Sequence, residues 1–158
     1  MVIRKAERAD FQSVKYLEEL DFRFHRQMRT DYFTNSEDSY TKVEFENLLA
    51  HSHPIALVAV LDGSIAGICF GVVEDTAGNH VCKSRKVAFI QDLVTMPEYR
   101  GRGIATALLA EARKEAVHAG AVSMELCVWE FNEKARRLYE KLGMKAQYCR
   151  MEADLENG

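Results

Sequence analysis

The sequence predicts an α/β protein built on one mixed β-sheet flanked by helices. Three observations carry that prediction. Two apolar runs, Pro54–Leu61 and Ser64–Val73, flank Asp62-Gly63, the strongest short-range signal for a hairpin. A strongly periodic segment, Arg102–Ala119, separates the strand Lys86–Thr95 from the apolar strand Ala121–Val128. Strand, helix and strand in that order indicate a crossover within a mixed sheet.

The elements follow in order. Val2–Lys5 forms a short edge strand. Asp10 is placed to cap a helix whose stripe is Val14, Leu17, Leu20 and Phe24. Thr30–Ser39 is polar and reads as a loop. Ser39 or Thr41 caps a short second helix carrying Phe45, Leu48 and Leu49. After the hairpin, Glu74–Lys83 is a loop containing Gly78-Asn79. The helix Arg102–Ala119 sets Ile104, Leu108, Ala112 and Ala116 on one face, and Gly120 stops it. Glu133–Leu142 is a further helix closed by Gly143, and Tyr148–Met151 reads as a last strand. The length, 158 residues, suits a single domain spanning residues 1–158, long enough to fold without a disulfide or metal.

Composition narrows the function classes. Lys and Arg total 21 against 24 Asp and Glu, a net charge of −3. A duplex-binding protein advertises a basic surplus, so no nucleic-acid partner is expected. The longest aliphatic run, Ile55–Leu61, is far short of the ~20 residues of a membrane helix, and no membrane partner is expected. Charges crowd Met1–Arg8, where a signal peptide would be apolar, so a cytoplasmic location is expected. Cys69, Cys82, Cys127 and Cys149 form no C-x-x-C pair and read as reduced, partly buried thiols; no metal site is expected.

The most informative segment runs from Phe89 to Leu109, strand to loop to helix. Gly101 and Gly103 free the backbone, so successive N–H groups from Gly101 to Thr106 can face one point at a helix N-terminus. Arg100 and Arg102 add positive charge. This arrangement suits a phosphate or pyrophosphate. The Gly-Lys-Ser/Thr of a Walker loop is absent. A dinucleotide fingerprint also fails, because Thr106 takes its sixth position and Met96–Arg100 lengthen the turn.

These residues resemble the GNAT superfamily of acyl-CoA-dependent N-acetyltransferases. Arg100-Gly-Arg-Gly103-Ile-Ala105 is similar to the family's acyl-CoA motif, Arg or Gln, two residues, Gly, one residue, then Gly or Ala. Asp92–Tyr99 looks like its fourth strand. Leu126–Met144 matches a second block: a strand, Asn132, a helix with Ala135 and Tyr139, and closing Gly143. Met144 stands where Phe is usual, and Ala105 where Gly is commoner.

The resemblance implies a mostly antiparallel sheet with a splay between the fourth and fifth strands. There the pantetheine arm of acetyl-CoA would lie against backbone groups of Leu93, Val94 and Thr95. Amides of Gly101, Arg102, Gly103, Ile104, Ala105 and Thr106 would hold its pyrophosphate, with Arg100 beside them. Asn132 is a good N-cap in its own right, and the resemblance adds a contact to the cofactor arm. Tyr139 has core spacing with Ala135, Leu138 and Leu142; the resemblance makes it the acid that protonates the CoA thiolate. Asp92 interrupts the apolar strand Val87–Val94, as either a base or substrate-binding group, or a structural carboxylate. Glu125 and Gln91 are further places to order a proton-carrying water.

The implied reaction is acetyl transfer to a primary amine, by direct attack in a ternary complex, with a backbone N–H near Val94 stabilising the oxyanion. The acceptor is a small-molecule amine or a protein amino group. The rival from another class is a non-catalytic acyl-CoA-binding module. Residues 21–46 hold Phe22, Phe24, Tyr32, Phe33, Tyr40 and Phe45 with Asp31, Glu37, Asp38, Glu44 and Glu46, which suits a cationic amine. Glu44 and Glu46 also read as a solvated helix face, and Arg23, Arg26 and Arg29 nearby would favour an anion. Homodimers are common in the family, and an exposed last strand could support one.

Overall fold

The structure is a computed structural model that describes residues 1–36 and 38–155. It forms two compact units, Met1–Cys127 and a second unit beginning at Val128. The first unit carries β1 (Val2–Lys5), α1 (Phe11–Met28), α2 (Lys42–Leu49), β2 (Pro54–Leu61), β3 (Ser64–Thr76), β4 (Arg85–Thr95), α3 (Ile104–His118) and β5 (Ser123–Leu126). The sheet runs in the order β1-β2-β3-β4-β5. Its first four strands are antiparallel neighbours, and β5 lies parallel to β4 after the α3 crossover.

Local chemistry sets these boundaries. Asp62 and Gly63 take φ of 51° and 80°, the left-handed pair that a tight hairpin needs. Thr41, not Ser39, caps α2, and Glu44 at the third helical position closes a capping box with it. Asp10 precedes α1 but makes no side-chain cap to it. Its carboxylate instead accepts two bonds from Arg4, at 2.7 and 2.8 Å, and one from Glu7 N. The Arg4 guanidinium holds this carboxyl below the usual Asp range.

The hairpin strand β3 continues to Thr76 and β4 starts at Arg85, so the intervening loop is shorter than the sequence suggested. One face of the sheet carries Val58, Ile68, Phe70 and Val94, closed by Val14 and Leu17 of α1 and Phe45 of α2. Each of those side chains, fully buried, contributes about 1.5–3 kcal/mol. Phe24, expected on the α1 stripe, is exposed. On the other face α3 buries Ile104, Leu108, Leu109, Ala112 and Ala116.

A β-bulge between β3 and β4 decides which face the site uses. Phe70 pairs with Asp92 and Gly71 with Ile90, leaving Gln91 as the inserted residue. Side chains opposite one another share a face. In an unbulged ladder running on from Gly71 and Ile90, Gln91 would lie opposite Phe70 and Asp92 opposite Cys69, on the α3 face. The insertion moves it to the face of Phe70, under α1 and α2. The approach of the strands here is close: a Cβ on Gly71 would lie 2.3 Å from the Phe89 carbonyl oxygen. Gly71→Ala should therefore cost about 1–3 kcal/mol in urea unfolding. A loss under about 0.5 kcal/mol would show that the strands can part there without cost.

The second unit carries α4 (Glu133–Lys141). Trp129 and Phe131 stack at 5.6 Å ahead of it. Gly143, at φ 85°, ends it, with Gly143 N bonded to Glu140 O and Met144 N to Tyr139 O. The last strand expected at Tyr148–Met151 does not form: among the described residues these have no ladder partner, and Tyr148 and Met151 are exposed. A strand is defined by its partner's hydrogen bonds, which residue type alone does not provide. Cys69 is buried and the other three cysteines are exposed. No helix among the described residues is long and apolar enough to cross a membrane.

Candidate active site

The sheet opens where the glycine loop begins. Parallel pairing of β4 with β5 stops at Ile90 and Leu126, so among the described residues Gln91–Thr95 have β3 on one edge and no strand on the other. Met96 N donates to Ala66 O at 2.9 Å, which turns Met96 toward β3. Strand alternation then points the main-chain groups of Val94 at β3 and those of Leu93 and Thr95 at the open edge. Arg100 Nε donates to the Thr95 carbonyl there at 3.2 Å, tying the loop to the strand end.

The loop itself is held by its two glycines. Gly101 and Gly103 take φ of 76° and 78°, and no atom lies within 4 Å of a Cβ built on either. Their bare faces thus look onto open space. The first intrahelical bond of α3 runs from Ala107 N to Gly103 O, at 3.0 Å. The amides of Ile104, Ala105 and Thr106 therefore have no helical acceptor and carry the positive end of the helix dipole. Arg102 lies over the Tyr99 ring at 5.7 Å. The residues present fit a pyrophosphate: free amides, a glycine cradle without side chains and two arginines.

Asn132 and Tyr139 belong to the second unit. The Asn132 side chain accepts from Ala135 N at 3.3 Å, so its capping role is direct. Tyr139 is half-buried on α4, beside Leu138, and no residue of α4 is fully buried. The buried face expected from its spacing is only partly covered.

Beside Asp92, a cavity of about 400 Å³ is lined by Tyr40, Glu44, Asn47, Leu48, Gln91 and Asp92. Asp92 is partly buried, and its pKa is pushed up to about 6, by burial first and then by Asp21, against the pull of His25. Glu18 is 7% exposed, and its Oε1 has no hydrogen-bond partner. Burial, then the charges of Asp92, Asp21 and Glu44, push Glu18 up to about 9. Burial opposes the charge on His25, but hydrogen bonding to Asp21, with Nδ1 3.0 Å from Oδ2, raises its pKa overall. Tyr40 is raised too, by burial and then by Glu18, so the phenol keeps its proton.

Sequence reasoning missed Glu18, Asp21 and His25. A signal existed: Val14, Glu18, Asp21 and His25 recur at four-, three- and four-residue steps, one helix face that starts apolar and turns ionisable. Of the acidic residues of the 21–46 stretch, Glu44 lines the cavity while its carboxylate accepts from Thr41 N and Oγ1, at 2.7 Å each. Asp31 pairs with Arg29 and Asp38 with Lys15, and Glu46 lies 3.9 Å from Lys42. Glu37 lies outside the described residues. Arg26 sits over Phe22 and Arg23 is exposed. Glu125 is engaged by Arg85 at 2.6 Å.

Known proteins are similar to this chain in sequence or in fold. An uncharacterized N-acetyltransferase of Archaeoglobus fulgidus is 30% identical over 141 residues, 88% of this chain and 89% of its own. An acetyltransferase of Yersinia pestis is 30% identical over 67% of this chain and 68% of its own. The tetramutant of the BH1408 protein of Bacillus halodurans superimposes with a TM-score of 0.93, at 28% identity over 98% of this chain and all (100%) of its own. An aminoglycoside N-acetyltransferase, AAC(6')-Iy, solved in complex with CoA, shares the fold with a TM-score of 0.72, at 18% identity over 97% and 98% of the two chains. Residues 15–144 match the sequence model of the acetyltransferase (GNAT) family. With its α3 crossover, its β4–β5 opening and the glycine loop at their junction, the chain belongs to that family.

Proposed function

We propose that this chain transfers an acetyl group from acetyl-CoA to a primary amine by direct attack in a ternary complex. The observation that carries the reading is the junction of β4 and α3: a strand edge without a partner leads into a glycine cradle of unbonded helix amides. The fold shared with a CoA-bound N-acetyltransferase supports it. Leu93 and Thr95 would hold the pantetheine arm at the open edge, with Val94 anchored to β3 between them. The N–H that meets the oxyanion then belongs to Leu93 or Thr95. Amides from Gly101 to Thr106 would take the pyrophosphate, with Arg100 and Arg102 adding charge, and Asn132 would meet the arm beyond its capping role.

An alkyl ammonium titrates near ~10, so it must lose a proton before it can attack. Asp92, raised to about 6 by burial, is better matched to that task than an exposed carboxylate and is the proposed base. The amine nitrogen forms the new amide bond and sheds its second proton, the thioester C–S bond breaks, and Tyr139 gives its phenolic proton to the departing thiolate and is reprotonated by the proton the nitrogen has shed. Following thiol release from acetyl-CoA across a panel of amines tests the whole reading. Saturable turnover is expected; cofactor binding without turnover on any amine would make the chain a binding module. Tyr139→Phe should lower kcat on the order of a hundredfold with little change in cofactor affinity. Unchanged kcat would remove the tyrosine from the proton path.

A further inference from the structure

The cavity beside Asp92 carries more polar groups than proton removal needs. Its volume, about 400 Å³, falls at the lower end of small-molecule sites, which run from roughly 300 to 1,000 Å³. One wall is a single face of α2: Glu44, Asn47 and Leu48 follow one another at three- and four-residue steps, with Tyr40 just ahead of the Thr41 cap. The other wall is β4. Consecutive strand residues ordinarily point to opposite faces, yet Gln91 and Asp92 both line this cavity. The bulge accounts for that, because the two residues together stand against Phe70.

The lining is graded. Tyr40, Leu48 and Asp92 are half-buried, whereas Glu44, Asn47 and Gln91 are exposed and sit toward the mouth. Asp92, the deep carboxylate, accepts no hydrogen bond from another described residue. A half-buried carboxylate without donors is costly to retain, and a cationic nitrogen arriving there supplies them. None of the lining residues is Lys, Arg or His, so a carboxylate or phosphate on the acceptor would meet Glu44 and Asp92 unopposed. At the mouth, Glu44 is already engaged, since its Oε2 accepts both Thr41 bonds of the capping box. The carboxamides of Asn47 and Gln91 are not: neither bonds another described residue. Each carboxamide donates and accepts at once. A hydroxyl also does both, whereas an ammonium only donates and a carboxylate only accepts. Leu48 and the Tyr40 ring give apolar surface to a short carbon chain.

We propose that this cavity takes as acceptor a small amino alcohol, with its primary nitrogen at Asp92 and a hydroxyl held at the mouth by the carboxamides of Asn47 and Gln91. Asn47 and Gln91 are then the residues that set acceptor specificity, and Asp92 keeps its task at the nitrogen. A plain alkylamine leaves the two amides to water, a diamine matches only their oxygens, and an amino acid brings a negative charge to a negative cavity. The inference rests on the acetyltransferase reading for the reaction, not for the binding.

The test compares amino alcohols of two to six carbons, amine and hydroxyl at opposite ends, with the alkylamine, diamine and amino acid of the same chain length. Thiol release from acetyl-CoA gives kcat/KM for each, and calorimetric titration into the whole chain with CoA present gives each affinity. At the chain length that spans the cavity, the amino alcohol should exceed the alkylamine and the diamine about tenfold in both measures, the order of one or two well-placed hydrogen bonds, and the amino acid by more. Asn47→Leu, an exposed helix position, should bring the ratio of amino alcohol to alkylamine to about one through KM, and Asn47→Gln should restore part of it. An alkylamine, diamine or amino acid that equals the amino alcohol at every length would overturn the proposal. So would a preference that survives Asn47→Leu, or no amine binding at all. If the amino alcohol binds best and no amine releases thiol, the transferase reading fails and this one stands. If thiol is released with the amines ranked otherwise, this one fails and the transferase reading stands.

Discussion

Replacing Gly103 by tryptophan is expected to abolish acetyl-CoA binding and leave the protein folded. The residue sits at φ 78° at the N-terminus of α3, and its missing Cβ faces open space. A Cβ there has no protein atom within 4 Å, so the expected cost is the strain of a left-handed residue, about 1–2 kcal/mol. The same side chain would occupy the space in which the helix amides present their hydrogens. Gly63 supplies a matched control: it has φ 80°, no atom within 4 Å of a built Cβ, and lies in the β2–β3 turn. Gly63→Trp should lower Tm by a similar amount and leave CoA affinity unchanged. Gly103→Trp should weaken CoA by at least about a hundredfold, equivalent to about 2.7 kcal/mol or more. Equal CoA affinity in the two variants would mean that the phosphates bind elsewhere.

This loop was legible in the sequence because its chemistry is local. Gly101, Gly103 and the amides that follow act through the backbone over a few consecutive residues, and sequence order preserves that arrangement. The hairpin at Asp62-Gly63 and the α3 crossover were legible for the same reason. What escaped was long-range. Asp92 faces α1 only because the β3–β4 ladder is bulged at Gln91, and a bulge has no reliable residue signature. The residues flanking Glu18 on its helix face predicted a core position, and a carboxyl at a core position is a stronger warning than an acidic stretch in a loop. The acidic stretch proved largely engaged, Asp31 and Glu44 by close neighbours in sequence and Asp38 by Lys15 of α1. The strand at Tyr148–Met151 failed differently: alternation can propose a strand, but its existence depends on an edge that the segment itself does not encode.

The burial of Glu18 also makes a prediction about stability, with a sign opposite to the common acid-denaturation pattern. A carboxyl raised in the folded state binds its proton more tightly there than in the unfolded chain. Its contribution is fully present below the unfolded value, near 4.5, and is lost as the pH climbs toward about 9 for Glu18. Asp92 adds a similar, narrower loss between 3.8 and about 6. Asp10 works the other way, because its folded pKa is depressed: its pair with Arg4 stabilises above the ordinary Asp range and is lost as the pH falls through the folded value. The protein should thus be most stable in mild acid, and unfolding free energy should fall between pH 5 and pH 8. One raised carboxyl gives a slope of at most about 1.4 kcal/mol per pH unit. In Glu18→Gln the titrating group is gone while the shape is kept. The variant should match the wild type within about 1 kcal/mol at pH 5, and exceed it by about 2–4 kcal/mol at pH 8. Urea unfolding at the two pH values measures this directly. Parallel pH profiles for the two proteins would show that Glu18 is ionised in the folded state at neutral pH. Its buried oxygen would then have to be satisfied by ordered water.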